Sequence, residues 1–162
     1  MKLKLVILSG LALFIAALAP LSAQTAADAS VLDTLGAQAD LKAAGKIVAQ
    51  ANAGDVLNGP AVTLFVPSDD AFAKLPDAAK TAVQASADSA KAFVLAHALA
   101  TSVAEDALKT ASALKTADGK SVSVQYDAAS NTVLLNGSVK IVRAIPAKNG
   151  TVFVIDGVLT GK

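Results

Sequence analysis

His97 is the only histidine in the chain, and there is no cysteine at all. Imidazole titrates near neutrality, so His97 is the first candidate for acid–base work or a pH switch. A metal centre is a poor fit, because no second imidazole and no thiolate can join it. Ser68 precedes two carboxylates, Asp69 and Asp70, which raises the question of a Ser-His-Asp hydrolase. The sequence around Ser68 lacks the Gly-x-Ser-x-Gly turn that exposes a nucleophile. The placement suits a helix cap instead, with the aspartates where a helix dipole favours negative charge. Asp69-Asp70 and Glu105-Asp106 are sequence neighbours. Adjacent side chains diverge on a helix, so neither pair can flank a substrate as acid and base, and neither has the spacing of a calcium loop. No glycine-rich phosphate loop occurs; Leu159-Thr160-Gly161-Lys162 ends the chain with no helix to follow. Asn136-Gly137-Ser138 and Asn149-Gly150-Thr151 match the glycosylation pattern. Both Asn-Gly pairs read better as hairpin turns, since glycine tolerates positive φ.

Composition narrows the classes further. The 162 residues hold 14 basic and 13 acidic groups, a net charge of +1. That leaves no basic surplus for a row of phosphates and excludes a general nucleic-acid binder. Hydrophobic residues reach 54% but aromatics only 4%, so few side chains are suited to binding hot spots. Any contact surface is expected to be weak and to gain from multivalency.

Residues 1–23 read as an export signal. Lys2 and Lys4 precede the apolar run Leu5–Ala19, Pro20 breaks it, and Leu21-Ser22-Ala23 ends on a small residue. Cleavage is expected after Ala23, which leaves 24–162 as a single domain. Losing the two lysines takes the net charge from +1 to −1. No second span of membrane length follows, so no stable membrane insertion is expected after cleavage. The leader and composition look bacterial and point to a secreted or periplasmic product.

Two periodicities divide the remainder. Val31, Leu32 and Leu35, then Leu41, Ala44, Ile47, Val48 and Ala51, recur at helical spacing. Asn52 to Gly54 is expected to stop that second helix, with Gly54 able to take the left-handed conformation. Val62–Val66 is a β-branched and aromatic strand closed by Pro67. Helices are predicted over 69–75, 77–85 and 88–98, with one more turn over 105–109. Strands follow over 122–126, 132–135, 139–145 and 151–155. The class is therefore α+β, with an antiparallel sheet system toward the C-terminus.

Three segments resemble the fasciclin domain. Thr63-Leu64-Phe65-Val66-Pro67-Ser68-Asp69-Asp70-Ala71-Phe72-Ala73-Lys74-Leu75-Pro76 is similar to its first signature. Asn149-Gly150-Thr151-Val152-Phe153-Val154-Ile155-Asp156-Gly157-Val158-Leu159 resembles its second. Between them His97 stands where the family usually has a Tyr-His pair, although Ala96 replaces the tyrosine here. The resemblance implies a fasciclin-like wedge: antiparallel, β-sandwich-like sheets with several α-helices packed alongside. It implies an exported, non-catalytic adhesion module, without a cofactor, that binds a cell-surface or extracellular macromolecule through protein or glycan contacts. The motif residues carried over are Thr63, Phe65, Pro67, Ser68, Asp70, Phe72, Lys74, His97, Asn149 and Asp156. Phe65 and Phe72 are expected in the core, Asp70 at the helix start or a neighbouring loop, and the edge Ser68–Lys74 at a contact surface. His97 is expected to be buried and to tie the two signatures through one ring nitrogen. Asp156 satisfies turn amides or meets a receptor. The alternative is a periplasmic binder of a small apolar ligand, held in a gap that the alanine-rich helices leave against the sheet.

Overall fold

The computed structural model describes residues 29–159. The expected leader and its cleavage point lie outside the described residues. Helix α1 (Val31–Ala37) opens with a reciprocal cap: Ser30 Oγ accepts from the Asp33 amide, and the Asp33 carboxylate accepts from the Ser30 amide. Helix α2 (Lys42–Gln50) buries Ala44, Ile47 and Val48, the face its sequence spacing marks. Its N-cap, Leu41, has no side chain able to accept a bond. The Asp69 carboxylate supplies one from outside, accepting from the Ala43 amide at 2.8 Å. The chain leaves α2 through Asn52 at φ 47, whereas Gly54 begins a short helix, α3 (Gly54–Leu57). The stop thus falls inside the expected Asn52–Gly54 stretch, but the left-handed residue is Asn52 and not Gly54, since asparagine also enters that region at low cost.

Strand β1 (Val62–Pro67) is buried along its whole length. Ser68 then caps α4 (Asp69–Ala73), accepting from the Ala71 amide. Helices α5 (Asp77–Gln84) and α6 (Ala87–His97) follow, then a two-residue strand, β2 (Ala98–Leu99), and α7 (Glu105–Thr110). The remainder is β3 (Ala113–Lys115), β4 (Ser121–Asp127), β5 (Thr132–Leu135), β6 (Val139–Ala147) and β7 (Gly150–Ile155). The seven strands form one sheet in the order β2-β1-β7-β6-β5-β4-β3.

The α+β class holds, and the sheet is mixed. Strands β3 to β7 pair antiparallel, as expected of hairpin-linked neighbours, but β1 and β7 run parallel from Val62↔Gly150 to Pro67↔Ile155. No hairpin joins these two, so nothing local forces them to oppose each other. Both lie between two apolar clusters. Val62, Leu64, Val66, Val152 and Val154 face the helices, packing with Ile47, Val48 and Val94. Phe65, Phe153 and Ile155 face the other way, onto Val122, Val124, Val133 and Leu135 of β4 and β5. Alternation along the strands thus divides the side chains between a helix-packed face and a sandwich-like face. Phe65 and Phe153 stack across the ladder with ring centroids 5.6 Å apart.

A bulge in β6 between Ile141 and Arg143 leaves Val142 exposed. It also aims Arg143 at the loop before α2, where its Nη2 donates to both Asp40 oxygens at 2.8 and 2.9 Å and to Gln38. The pair is about half exposed, so water and salt offset most of its attraction. Arg143→Ala is expected to lower stability by less than about 1 kcal/mol, as read from the urea midpoint. A larger loss would mean that the bulge itself needs the arginine.

Candidate functional site

The two motif segments meet as the paired strands β1 and β7, and their ends are tied by side chains. Asn149 is the densest tie. Its Oδ1 accepts from the Val31 amide, and its Nδ2 donates to the carbonyls of Leu57 at 2.6 Å and Gly59 at 3.1 Å. Its backbone carbonyl accepts from Val62. One side chain thereby fixes the start of α1, the end of α3 and the entry to β1. The two-residue turn is Lys148-Asn149, and Gly150 already belongs to β7. The reading of Asn149-Gly150 as the turn itself is therefore corrected by one residue. Gly150 does take a positive φ, 158, and glycine is also required because a Cβ there would sit 1.6 Å from the Val62 carbonyl oxygen. Asn136 and Gly137, by contrast, do lie in their hairpin turn, at φ 52 and 71.

Thr63 is fully buried and bridges two amide planes. Its Oγ1 donates to the Thr101 carbonyl and accepts from the Val103 amide, both at 2.8 Å. Phe65, Pro67 and Phe72 are buried as well. Ser68 Oγ serves the Ala71 amide, and its own amide donates to Ile155. Asp70 is exposed and makes no side-chain bond among the described residues; the supporting carboxylate is its neighbour Asp69. Lys74 is exposed. Asp156 accepts from the Lys140 amide at 2.8 Å and donates its own amide back to Lys140, so it joins β7 to β6.

His97 ends α6 at 2% exposure. Its Nε2 accepts from the Leu159 amide at 3.0 Å, which places the ring proton on Nδ1, donated to the Phe93 carbonyl at 2.8 Å. One ring nitrogen thus reaches the second motif; no hydrogen bond runs from His97 to the first. Burial pushes the imidazole pKa down to about 4, against the opposing pull of the Phe93 carbonyl and of Asp118. A neutral ring with both nitrogens occupied has no free lone pair for a serine proton. Ser68 is likewise occupied as a cap. Among the described residues no three His, Asp or Glu side chains gather as a metal site.

The described residues also form two sizeable clefts and a much smaller space. The space between the helices and β1, beside Ile47, Leu64 and Phe93, is about 10 Å³. That is less than one water and far below the roughly 300 Å³ a small ligand needs. At this place the helices pack against β1 without the gap that an internal apolar ligand requires. A cleft of about 560 Å³ runs along α1 and α2, and one of about 520 Å³ lies at the far end of the sheet. The second is walled by the β3–β4 turn around Asp118. The Asp118-Gly119 pair between two strands is the sequence signal for that turn, and neither residue is among the expected site residues.

Comparison with known proteins agrees with this architecture. The Fasciclin domain model matches residues 39–161. None of the curated proteins matches the chain. Among solved structures, a FAS1 domain pair from the insect cell adhesion molecule fasciclin I is similar at TM-score 0.69 and 21% identity. The match covers 82% of this chain and 51% of that one, so the chain spans about half the length of that structure. No described helix is long and apolar enough to cross a membrane. With both motif strands paired at its centre and the family model matched across most of its length, the chain belongs to the fasciclin domain family, a family associated with cell adhesion.

Proposed function

We propose that this protein is an exported, non-catalytic adhesion module that attaches to a cell-surface or extracellular macromolecule through protein or glycan contacts. The observation that carries the reading is the use of its motif side chains: Thr63, His97, Asn149 and Asp156 all hold backbone groups of the fold. Groups committed in this way position a scaffold; they do not turn over a substrate. Contact then falls to what the scaffold leaves outside. At the first motif that is the turn from Ser68 to Lys74, where Asp70 and Lys74 face solvent. With so few exposed aromatics each contact is weak, and many copies on a surface would have to act together.

The test is adhesion of beads coated with the protein to envelope fragments and to intact cells. Coated beads are expected to bind, and a double Asp70→Ala, Lys74→Ala variant is expected to lose at least about half of that binding at unchanged stability, the usual result for exposed substitutions. Uncoated and coated beads that bind equally would end the proposal. Loss of binding only when the fold is disrupted would remove the Ser68–Lys74 turn from it.

A further inference from the structure

The 520 Å³ cleft lies between the β3–β4 turn, the β5–β6 turn and the last turn of α6. Its polar wall is Asp118, Lys120, Ser121, Ser123, Asn136 and Ser138. Val139, Val158 and Leu159 give it an apolar side, and Ala96 is the small residue that α6 contributes. We propose that this cleft is a subsite for an uncharged saccharide. The inference rests on the adhesion reading only in supplying it with a partner class.

The cleft is preorganised. Thr116, at 4% exposure, donates to Asp118 and approaches the Lys120 carbonyl at 3.0 Å, and its amide donates to the same carbonyl. The Ala117 amide donates to Ala98 of β2 at 2.7 Å, which docks the turn against the body of the domain. Gly119 takes φ 87 to close it. On the other wall, Asn136 and Ser123 exchange two bonds, through the Asn136 amide and Oδ1. The backbone of these two turns is therefore already ordered, which lowers the cost a ligand must meet there.

The unused groups fit hydroxyls. Asp118 Oδ1 is occupied by Thr116 and by the Lys120 amide, while Oδ2 has only Lys120 Nζ at 3.4 Å, longer than a good hydrogen bond. Asn136 has Oδ1 occupied and Nδ2 left as a donor among the described residues. A sugar hydroxyl both donates and accepts, so it can meet the carboxylate oxygen and the amide or ammonium alike. Ser121, Ser123 and Ser138 add three hydroxyls of the same kind. An ionic ligand is disfavoured because the one acid and the one base of the cleft cancel in net charge. The aliphatic side suits the C–H face of a sugar ring. The lining has no aromatic platform, which sets affinity low, with dissociation constants on the order of millimolar.

The experiment is a ¹H–¹⁵N titration of the purified protein with cellobiose, maltose and N,N′-diacetylchitobiose, with Gly-Gly as a zwitterionic control. At least one disaccharide is expected to shift the amides of Ser121, Ser123, Asn136 and Ser138 saturably. Ala96→Tyr fills the cleft from the α6 side and is expected to weaken that binding about tenfold or more at an unchanged melting temperature. Asp118→Asn keeps the volume and reads the same loss should Ala96→Tyr misfold. No shift from any sugar, shifts from Gly-Gly instead, or sugar binding that survives both substitutions would each overturn the assignment. Beads coated with Ala96→Tyr separate the two proposals: adhesion that persists once sugar binding is lost keeps both the module and the subsite but shows that the subsite does not carry the adhesion.

Discussion

Gly150→Ala is expected to remove a large part of the chain's stability, more than about 4 kcal/mol. The new methyl would lie 1.6 Å from the Val62 oxygen and 2.6 Å from its carbonyl carbon. Both are backbone atoms, so no rotamer change relieves the overlap, and β7 has to move away from β1. Val62↔Gly150 is the first pair of the parallel ladder. Moving it pulls on the Asn149 carbonyl that holds the Val62 amide, and on the three side-chain bonds of Asn149. It also opens the Phe65–Phe153 stack further along. Lost packing combined with buried groups left unpaired belongs to the mechanisms that cost more than about 4 kcal/mol. That is a large part of the roughly 5–15 kcal/mol by which a domain of this kind is stable. The matched control is Gly45→Ala in α2, where a Cβ meets nothing within 4 Å; it is expected to be neutral or to gain up to about 1 kcal/mol. Circular dichroism and urea unfolding of the two variants side by side decide the matter. A Gly150→Ala protein that melts with the parent would mean that the β1–β7 register is not as described.

The contrast between those glycines shows what the sequence could and could not convey. Gly45 and Gly150 look alike as letters. One sits on a helix, and the other faces a carbonyl that lies most of the domain away in sequence. The helices with capping serines, and the strands with alternating valines, are legible because their signals are local: Ser68 before Ala71, or Val122 and Val124 alternating with Ser121, Ser123 and Gln125. The parallel β1–β7 pair is not readable from pattern, because β1 is buried on both faces and carries no alternation to mark a side. The short elements α3 and β3 span too few residues to show a period. Resemblance locates Asn149 and Asp156, yet their partners Val31, Leu57 and Lys140 come from elements the motifs do not include. Asp69 and Asp70 are indistinguishable by composition. Only the placement of α2 decides that Asp69 reaches it, leaving Asp70 to solvent.

His97 sets the acid limit of the fold. In the folded state its pKa is held at about 4 by burial, while in the unfolded chain it returns to the ordinary 6.5. The folded value is the lower one, so the unfolded state binds the extra proton between those limits. Stability is therefore complete above about pH 6.5 and falls as the pH drops toward 4. At about 1.36 kcal/mol for each pH unit between the two values, the loss across that window is about 3 kcal/mol. The structural cause is specific. A proton added at Nε2 turns the acceptor of the Leu159 amide into a donor facing a donor. Because the chain has one histidine, its imidazole resonances are unambiguous: they are expected to show the Nδ1–H tautomer and no titration between pH 7 and about 5. Unfolding free energy measured over the same range should fall with acid in the parent. In His97→Phe it should start lower, by about 1–3 kcal/mol for the unpaired Leu159 amide, and stay nearly flat until the carboxylates titrate. The two curves should converge as the pH approaches 4. An imidazole that titrates near 6.5 in the folded protein would show that the ring is solvated, and with it that the Leu159 segment is not held against α6.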